Sequence, residues 1–359
     1  MTIDDRGLLA ITGANGTIGY ASVLYALHVG YRVRCIVRRE DVVETIKAGP
    51  SIQQYAGKVQ YAVVPDNTVP GAYDTAFEGA TKVLHVAGVW PKPNYHPDNE
   101  IYYPYVKSTE NIISAAQKSG SVRRVVITQA GAGLISPDDG DTLGTAMNKV
   151  LNEFVPVNSH SASIQPPIPT PHHSYSAAKA YCMKYLHSLR SSKKLPFSII
   201  QIIPGTVIGP SELVSTAADA SARMDRMSRA LLFNDPKPRY AFGFINVEDC
   251  AKVHVEALDE KKVSGDEAPP WFIAAAESVQ GKSGQDLWKE AGDYVEDQLS
   301  DGIDKGLFTI GRDNVPLNMP FYVDSSLTRK MLMEGQGFKG FAQSVVEVGR
   351  WYTRLSEHT

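Results

Sequence analysis

Cysteine, net charge and long apolar runs are all scarce in this sequence. Its 359 residues include three cysteines, Cys35, Cys182 and Cys250, in unrelated contexts, which predicts neither a disulfide framework nor a metal site. The formal net charge of −3 provides no basic field for a nucleic acid or an anionic membrane. No apolar run approaches the length of a membrane span, and the polar segment Met1–Arg6 gives no sign of a secretory leader. We therefore expect a cytoplasmic protein without nucleic-acid or membrane partners, and the sequence leaves its oligomeric state open.

Apolar residues, by contrast, make up 43% of the chain, which is enough for a large core. Continuous apolar runs alternate with helix-like stretches, a pattern typical of a parallel sheet covered by helices on both faces. We predict an α/β fold: a Rossmann-type doubly wound parallel sheet with a smaller C-terminal substrate-binding region. The predicted strands are Leu8–Thr12, Arg32–Val37, Val59–Val64, Lys82–Val86, Arg124–Thr128 and Phe197–Ile203.

The pattern between and after these strands sets the expected domain boundaries. Residues 1–205 are predicted to form the Rossmann domain, residues 242–276 to return to it, and residues 206–241 and 277–359 to form the substrate-binding region. The long segment Ser136–His173 is expected to be a lid or a substrate wall, because loops of this length in compact domains are usually functional or disordered. The predicted helices are Ile18–Val29, Asp41–Lys47, Tyr73–Phe77, Asn99–Lys118, Ser174–Arg190, Ser211–Leu232 and Glu248–Asp259, and the later strands are Phe242–Val247 and Phe272–Ala276.

A glycine-rich turn directly follows the first predicted strand, in the run Thr12-Gly13-Ala14-Asn15-Gly16-Thr17-Ile18-Gly19. The first glycine allows the tight turn, the second lets the backbone approach phosphates, and the third lets the helix pack against the strand. The N–H groups and dipole of the helix N-terminus favour an anion. An ordinary strand-turn-helix without a ligand is the alternative. The predicted cofactor contacts here are Gly13, Asn15, Gly16, Thr17, Ile18 and Gly19.

The end of the second predicted strand indicates which dinucleotide is bound. A site selective for NAD normally ends this strand with an acid that binds the ribose hydroxyls. Here the strand ends in Arg38 and Arg39, and the acids Glu40 and Asp41 come after them. A guanidinium in this place suits a 2′-phosphate, although a solvated arginine pair is the alternative. We therefore predict NADP(H) as the cofactor, with Arg38 as a contact.

Tyr175 and Lys179 form a second motif, spaced i and i+4 on one helix face. A free phenol has a pKa of about 10, too high for proton exchange near neutrality. A nearby lysine cation favours the phenolate and lowers this pKa. Lys179 would also reach the hydroxyls of a nicotinamide ribose. We predict Tyr175 and Lys179 as catalytic and cofactor-binding residues, against the alternative of an ordinary helix surface.

Both motifs, in this order, resemble those of the extended short-chain dehydrogenases/reductases. Further stretches are similar to the group that contains dihydroflavonol reductases, cinnamoyl-CoA reductases and yeast aldehyde (carbonyl) reductases. The resemblance covers residues 8 to about 260 well and the C-terminal region weakly. These stretches are Thr81–Ala87, Arg123–Thr128, Pro204–Pro210 and Phe244–Asp249, and Ala62–Asp66 with Gly71–Asp74 looks closest to the yeast enzymes.

This resemblance implies roles for further residues. Asp66 would bind the adenine amino group, and Ala87 with Gly88 would lie under the cofactor. Pro204 to Val207 would run beside the nicotinamide, which makes Pro204 and Val207 further predicted contacts. The implied function is NADPH-dependent reduction of a ketone or aldehyde in a small molecule, with Tyr175 as the proton donor.

One departure from the pattern puts this function in question. These reductases usually carry a Ser or Thr just after the fifth strand, where it donates a hydrogen bond to the substrate carbonyl. This chain has Thr128-Gln129-Ala130: an ungapped alignment puts Ala130 in the serine position, and one deletion would put Gln129 there, so neither carries the expected hydroxyl. The Gln129 amide is a possible replacement donor. Loss of one such donor typically lowers turnover by about 10²–10³-fold.

Three functions therefore stay open at this point. The first is a carbonyl reductase. The second is a non-redox isomerase, cyclase or dehydratase on the same scaffold, which the missing serine keeps in play. The third is a nucleotide sensor that binds the cofactor without turnover. Tyr175 and Lys179 argue against the sensor, because a sensor needs neither.

Overall fold

The fold, described from a computed structural model, is built on a seven-stranded sheet with strand order β10-β7-β5-β4-β1-β2-β3. The structure describes residues 6–135, 149–235, 243–277, 284–315 and 321–357. The pairings from β3 across to β7 are parallel. The sheet strands are β1 (Leu8–Thr12), β2 (Arg32–Val37), β3 (Val59–Val63), β4 (Lys82–His85), β5 (Arg124–Thr128), β7 (Ser198–Pro204) and β10 (Phe272–Ala274).

Helices connect most of these strands, as the alternating pattern predicts, but the connection from β3 to β4 has only a 3-10 turn at Thr75–Phe77 where the sequence predicts a helix over Tyr73–Phe77. Two short parallel pairs complete the strands: β6 (Lys149–Leu151) with β11 (Phe321–Val323), and β8 (Thr206–Ile208) with β9 (Phe244–Asn246). The helices are α1 (Thr17–His28), α2 (Glu40–Lys47), α3 (Tyr103–Ser119), α4 (Ser159–Ser163), α5 (Pro171–Ser192), α6 (Ala217–Arg223), α7 (Arg226–Phe233), α8 (Val247–Glu256), α9 (Gly284–Gln298), α10 (Ser300–Asp304), α11 (Ser326–Leu332) and α12 (Phe341–Glu357).

The predicted fold class, a Rossmann-type parallel sheet, is confirmed. β1, β2 and β5 have the predicted bounds: each is mostly buried and rich in apolar residues, although β2 also contains Arg32 and Arg34. The single helix predicted over Ser211–Leu232 is wrong: the segment forms α6 and α7. The break falls at Asp225, whose carboxylate accepts a hydrogen bond from the Ser228 backbone N–H at 2.9 Å and so begins α7.

Two buried cations fix the segment after α8 against the sheet. Arg124 in β5 donates to the carbonyl oxygens of Ala257 at 3.1 Å and Val263 at 2.7 Å. Lys82 in β4 donates to the carbonyl oxygen of Leu258. Cations are favourable at a helix C-terminus, where carbonyl groups lack partners within the helix. The two cations, although they lie in apolar strands, therefore have hydrogen-bond acceptors in the interior.

The chain divides into two compact units. The first comprises Met1–Asp138, Glu153–Ile203 and Ala251–Phe272; one of its apolar clusters packs α3 and α5 against β1, β4 and β5. The second comprises Asp139–Asn152, Pro204–Cys250 and Ile273–Thr359, with a core formed by residues of α6, α7, α9 and α12. No helix in the described ranges is long and apolar enough to cross a membrane.

Candidate active site

The parallel sheet brings most of the predicted site residues to one edge. The glycine turn follows β1, Arg38 follows β2, Asp66 follows β3, and Ala87 with Gly88 follows β4. Parallel strands end at the same edge of a sheet, which is where ligands bind in such folds. The first unit therefore gathers these residues from segments that are distant in sequence.

The glycine turn is packed too closely for any larger residue. Gly13 has a left-handed backbone (φ 68°), and an added Cβ would lie 2.9 Å from the Ala87 backbone N and Cα. A Cβ at Gly19 would lie 2.0 Å from the Gly13 carbonyl oxygen, so α1 also needs glycine to begin where it does. Gly16 caps α1 without a side-chain hydrogen bond, and the first turn contains no acid. Asn15, Gly16 and Thr17 are exposed, and the Gly16 N–H donates to the Gly13 carbonyl oxygen at 2.9 Å, which closes the turn and leaves the start of α1 open to an anion.

The structure separates the two arginines that follow β2. Arg39 makes two hydrogen bonds with the Asp41 carboxylate, both at 3.0 Å. The side chain of Arg38 is exposed and has no hydrogen-bond or ion-pair partner in the described part of the chain. Arg38 is therefore the guanidinium that is available to a ligand at this edge.

Asp66, predicted to bind adenine, already has an internal partner. One carboxylate oxygen accepts from the Thr68 backbone N–H at 2.8 Å and from the Thr68 hydroxyl at 2.7 Å. These bonds lower the pKa of the exposed Asp66 carboxyl. The ionised side chain is held in place, and its second oxygen can accept from a ligand.

A buried hydrogen-bond network supports the loop after β4. The Thr12 hydroxyl accepts from the backbone N–H groups of Val86 and Ala87, both at 3.2 Å, and lies 2.7 Å from His85 Nδ1. Because the hydroxyl has one hydrogen, it donates that hydrogen to Nδ1. Burial lowers the pKa of His85 to about 3, so the imidazole is neutral. His85 is therefore a packed support of the site.

Tyr175 lies half-buried in α5 beside two aromatic rings. The Tyr105 ring meets it edge-on with centroids 5.6 Å apart, and the exposed Trp90 ring lies 5.8 Å away. Burial raises the pKa of the Tyr175 phenol, while a hydrogen bond with the Tyr105 hydroxyl lowers it. The sequence predicts Lys179 as a group that lowers this pKa, which stays a prediction, and the Tyr105 hydroxyl is a further such group.

Lys179 is buried, with a relative exposure of 7%, and its ammonium points toward the end of β5. Nζ donates to the Thr128 carbonyl oxygen at 3.1 Å and lies 4.4 Å above the centre of the Tyr105 ring. It is 5.9 Å from the centre of the Tyr175 ring. Burial lowers the pKa of Lys179 to about 8, which leaves it a cation at neutral pH.

The segment after β5 presents no hydroxyl at the serine position. Ala130 has an extended backbone (φ −147°, ψ 147°) and is half-buried. The Thr128 hydroxyl is 3.0 Å from His254 Nε2. The expectation that the Gln129 amide could replace the missing donor is wrong, because this side chain is buried (3% exposed) and Nε2 donates to Gln201 Oε1 at 2.9 Å. Within the described residues, this segment offers the substrate no side-chain donor.

The last two predicted contacts lie in the second unit, where Pro204 ends β7 and Val207 lies in β8. Their proposed place beside the nicotinamide stays a prediction. In the proposed lid Ser136–His173, residues 136–148 lie outside the described residues, and the rest includes β6 and α4. Among described residues, no cluster of three or more His, Cys, Asp or Glu could hold a metal ion.

The glycine turn, the strand ends and the Tyr-Lys pair together define a Rossmann-type enzyme that depends on a nicotinamide dinucleotide. The exposed turn at residues 15–17 and the start of α1, which has no side-chain cap and no acid in its first turn, fit the phosphates of such a group. The chain belongs to the NAD dependent epimerase/dehydratase family, whose sequence profile matches residues 9–268. This result confirms the resemblance to extended short-chain dehydrogenases/reductases.

Individual relatives have both reductase and epimerase names. The chain is 28% identical over 273 residues to the NAD-dependent epimerase/dehydratase ALT6 of Alternaria alternata, covering 71% of this chain and 73% of ALT6. It is 26% identical over 370 aligned residues to ketoreductase CTB6 of Cercospora nicotianae, covering 98% and 96%. The yeast methylglyoxal/isovaleraldehyde reductase Gre2, solved with NADPH, superposes with a TM-score of 0.74 at 20% identity, covering 98% of this chain and all of that one (100%). The likeness to Gre2 shows a shared fold.

Sequence reasoning missed the importance of Tyr105 and Trp90. Tyr105 lies in the first turn of α3, where the sequence allows either a wall of the substrate site or packing at a helix start and favours the packing. No local pattern links it to Tyr175, which is far along the chain. The proline- and aromatic-rich stretch after β4 was the available signal for Trp90.

Proposed function

We propose that this protein is an NADPH-dependent reductase of a ketone or aldehyde in a small organic molecule. The observation that carries the proposal is the placement of Tyr175 and Lys179 on α5 at the carboxyl edge of the sheet, with Lys179 bonded to the end of β5. Tyr175 and Lys179 lie in the same unit as the glycine turn, which supports the proposal. Ketoreductase CTB6, which matches over almost the whole chain, supports the reductase function.

The residues at the sheet edge would hold the cofactor from three sides. The glycine turn and the start of α1 would bind the pyrophosphate, and Arg38 would bind the 2′-phosphate that distinguishes NADPH from NADH. Asp66 would accept from the adenine amino group. Because Arg39 is paired with Asp41, the proposed preference for NADPH rests on Arg38 alone.

The chain's own residues would transfer one proton to the substrate and stabilise the negative charge that remains on the donor. When bound, NADPH would supply the hydride that reduces the carbonyl carbon. Tyr175 would give its phenolic proton to the carbonyl oxygen, and Lys179 would stabilise the remaining phenolate and bind the ribose. The high pKa of Tyr175 keeps it protonated, and therefore able to donate, at neutral pH. The exposed Trp90 beside it would form an apolar wall for the substrate.

The empty serine position favours a second candidate, a non-redox isomerase, cyclase or dehydratase on the same scaffold. Ala130 cannot donate to a substrate oxygen, and Gln129 is committed to the core. A reductase without this donor would be slower by about 10²–10³-fold. The two candidates differ in one observable: a reductase consumes NADPH as product forms, whereas a non-redox enzyme gives an isomeric or dehydrated product without loss of nicotinamide absorbance.

The test of the main proposal is Tyr175→Phe, assayed by NADPH oxidation with a panel of activated ketones and aldehydes. Turnover should fall by about 10²–10⁴-fold, the usual contribution of general acid catalysis. The dissociation constant for NADPH should change little, because phenylalanine preserves the ring. Tyr181→Phe on the same helix is the matched control and should keep wild-type turnover. A Tyr175→Phe enzyme that retains more than about a tenth of wild-type turnover would contradict the proposed mechanism.

A further inference from the structure

The Tyr105 hydroxyl fixes the loop that follows β4. It donates to the Val89 carbonyl oxygen at 2.7 Å. Gly88 packs directly on the same phenol, because a Cβ added there would lie 2.6 Å from the Tyr105 hydroxyl oxygen and 2.8 Å from a carbon of its ring. Tyr105 is 8% exposed, whereas Gly88 and Trp90 are exposed. A buried side chain of α3 therefore supports an exposed loop at the ligand-binding edge of the sheet.

The face of the Tyr105 ring lies against the Lys179 ammonium. Nζ is 4.4 Å from the centre of this ring, closer than the 5.9 Å to the centre of the Tyr175 ring. Nζ also donates to the Thr128 carbonyl oxygen at 3.1 Å. An aromatic face attracts a cation electrostatically, and the attraction is strongest where water is excluded. The Tyr105 ring and the Thr128 carbonyl together therefore hold this buried ammonium in place.

Four titratable groups lie near the Lys179 ammonium and are uncharged at neutral pH. They are Tyr175 and Cys182 on the same helix, Tyr105 on α3 and His85 at the end of β4. Burial raises the pKa of the two phenols and of the thiol, and it lowers the pKa of the imidazole. None of these four groups offsets the charge of the ammonium, so its contacts with a ring face and a carbonyl oxygen carry more of its stabilisation.

We propose that Tyr105 is a positioning residue with two functions: its hydroxyl holds the loop of Gly88 and Val89, and its ring holds the Lys179 ammonium beside Tyr175. This proposal rests on the proposed reductase function, in which the loop would lie under the cofactor and Lys179 would stabilise the Tyr175 phenolate. Neither function requires Tyr105 to touch the substrate. One side chain of α3 would therefore link the cofactor site to the cation that assists the proton donor.

The function of the hydroxyl is tested by NADPH titration of Tyr105→Phe, Gly88→Ala and the double variant. Tyr105→Phe should raise the dissociation constant by about two- to tenfold, because one hydrogen bond to the loop is lost. Gly88→Ala should weaken binding in the wild type, and by less in the Tyr105→Phe background, where the atom nearest to the new methyl group is absent. An unchanged dissociation constant in Tyr105→Phe, or the same effect of Gly88→Ala in both backgrounds, would overturn this function.

The function of the ring is tested without cofactor, by following the Lys179 signal against pH in protein labelled with ε-¹³C-lysine. The signal is identified by its loss in Lys179→Arg. Residue 105 is replaced by phenylalanine and then by its 4-fluoro, 3,5-difluoro and 3,4,5-trifluoro derivatives, which keep the ring but withdraw electrons from its face. Tyr105→Phe should leave the pKa of Lys179 unchanged, and fluorination should lower it stepwise, by about one unit in total. A constant pKa across the series would overturn the function of the ring.

Tyr102 provides the matched control for both tests. It is similarly buried (4% exposed), and its hydroxyl donates to Gln165 at 3.3 Å. Tyr102→Phe and the same fluorinated series at position 102 should change neither the NADPH dissociation constant nor the pKa of Lys179; equal effects at positions 102 and 105 would overturn the proposal. A wild-type protein that neither binds nor oxidises NADPH would overturn the reductase proposal itself, whereas the refuting results for Tyr105 leave that proposal standing.

Discussion

Replacement of Gly13 by alanine tests the centre of the proposed cofactor site. The added methyl group would lie 2.9 Å from the backbone N and Cα of Ala87 and 3.3 Å from its Cβ. Backbone atoms cannot rotate away as a flexible side chain can, so the turn or the loop must shift. The left-handed backbone at φ 68° adds a second cost, because alanine rarely adopts it.

Gly120→Ala separates these two costs. Gly120 has nearly the same backbone angle (φ 64°) at the end of α3, but an added Cβ there meets no atom within 4 Å. It should therefore lower the free energy of unfolding by the backbone cost alone, about 1–2 kcal/mol. Gly13→Ala should lower it by about 2–5 kcal/mol, since overpacking adds about 1–3 kcal/mol. The effect on the unfolded chain is the same for both and cancels in the difference.

Urea unfolding without cofactor gives the two free energies, and NADPH titration gives the two dissociation constants. Only Gly13→Ala should weaken NADPH binding, by tenfold or more, which corresponds to about 1.4 kcal/mol. Equal stability losses in the two variants would refute the close contact with Ala87. An unchanged dissociation constant in Gly13→Ala would refute the placement of the phosphates at this turn.

Three other predictions follow from the site. Arg38→Ala should remove the preference for NADPH over NADH, whereas Arg39→Ala should preserve it; an unchanged ratio of dissociation constants in Arg38→Ala would contradict the assignment. Because Lys179 is a cation only below its pKa of about 8, kcat/KM should fall as the pH rises through this value, and Lys179→Arg should move the fall to higher pH. Ala130→Ser should speed NADPH oxidation with activated ketones by up to about 10²-fold, and no gain with any carbonyl substrate would favour the non-redox candidate.

Local sequence patterns predicted the sheet and its ligand-binding edge well. β1 and β5 are buried apolar runs whose ends are fixed by the residues that follow them, a glycine turn after β1 and polar Gln129 after β5. The helix pattern was less informative at Ser211–Leu232, because apolar spacing continues past the break. Asp225 was the available signal, since an Asp side chain can cap the first turn of a helix by accepting a hydrogen bond from a backbone N–H three residues later, here that of Ser228.

The arrangement of the site residues depends more than the sheet does on contacts between segments that are distant in the sequence, and local patterns do not predict such contacts. Arg38 and Arg39 are adjacent residues of the same type, so the sequence does not distinguish them. The structure does, because Asp41 binds Arg39 and not Arg38. Tyr105 and Tyr175 come together because α3 and α5 pack in one apolar cluster. Propensity and spacing describe each helix face but not which faces meet, so the pairing of the two phenols needed the tertiary structure.

Burial of the Tyr175 phenol has two effects on its proposed role: it keeps the phenol protonated, and it makes the phenol a weaker acid. Reduction of a carbonyl group requires a protonated phenol that can give its proton, whereas oxidation of an alcohol requires the phenolate. Burial raises the pKa of Tyr175, so the protonated form predominates at neutral pH. Lys179, with its pKa lowered to about 8, keeps its charge in the same range and can stabilise the phenolate after the proton has left. In the proposed reductase, Tyr175 would therefore enter the reaction protonated, and the charge of Lys179 would offset the burial that makes the phenol a weaker acid.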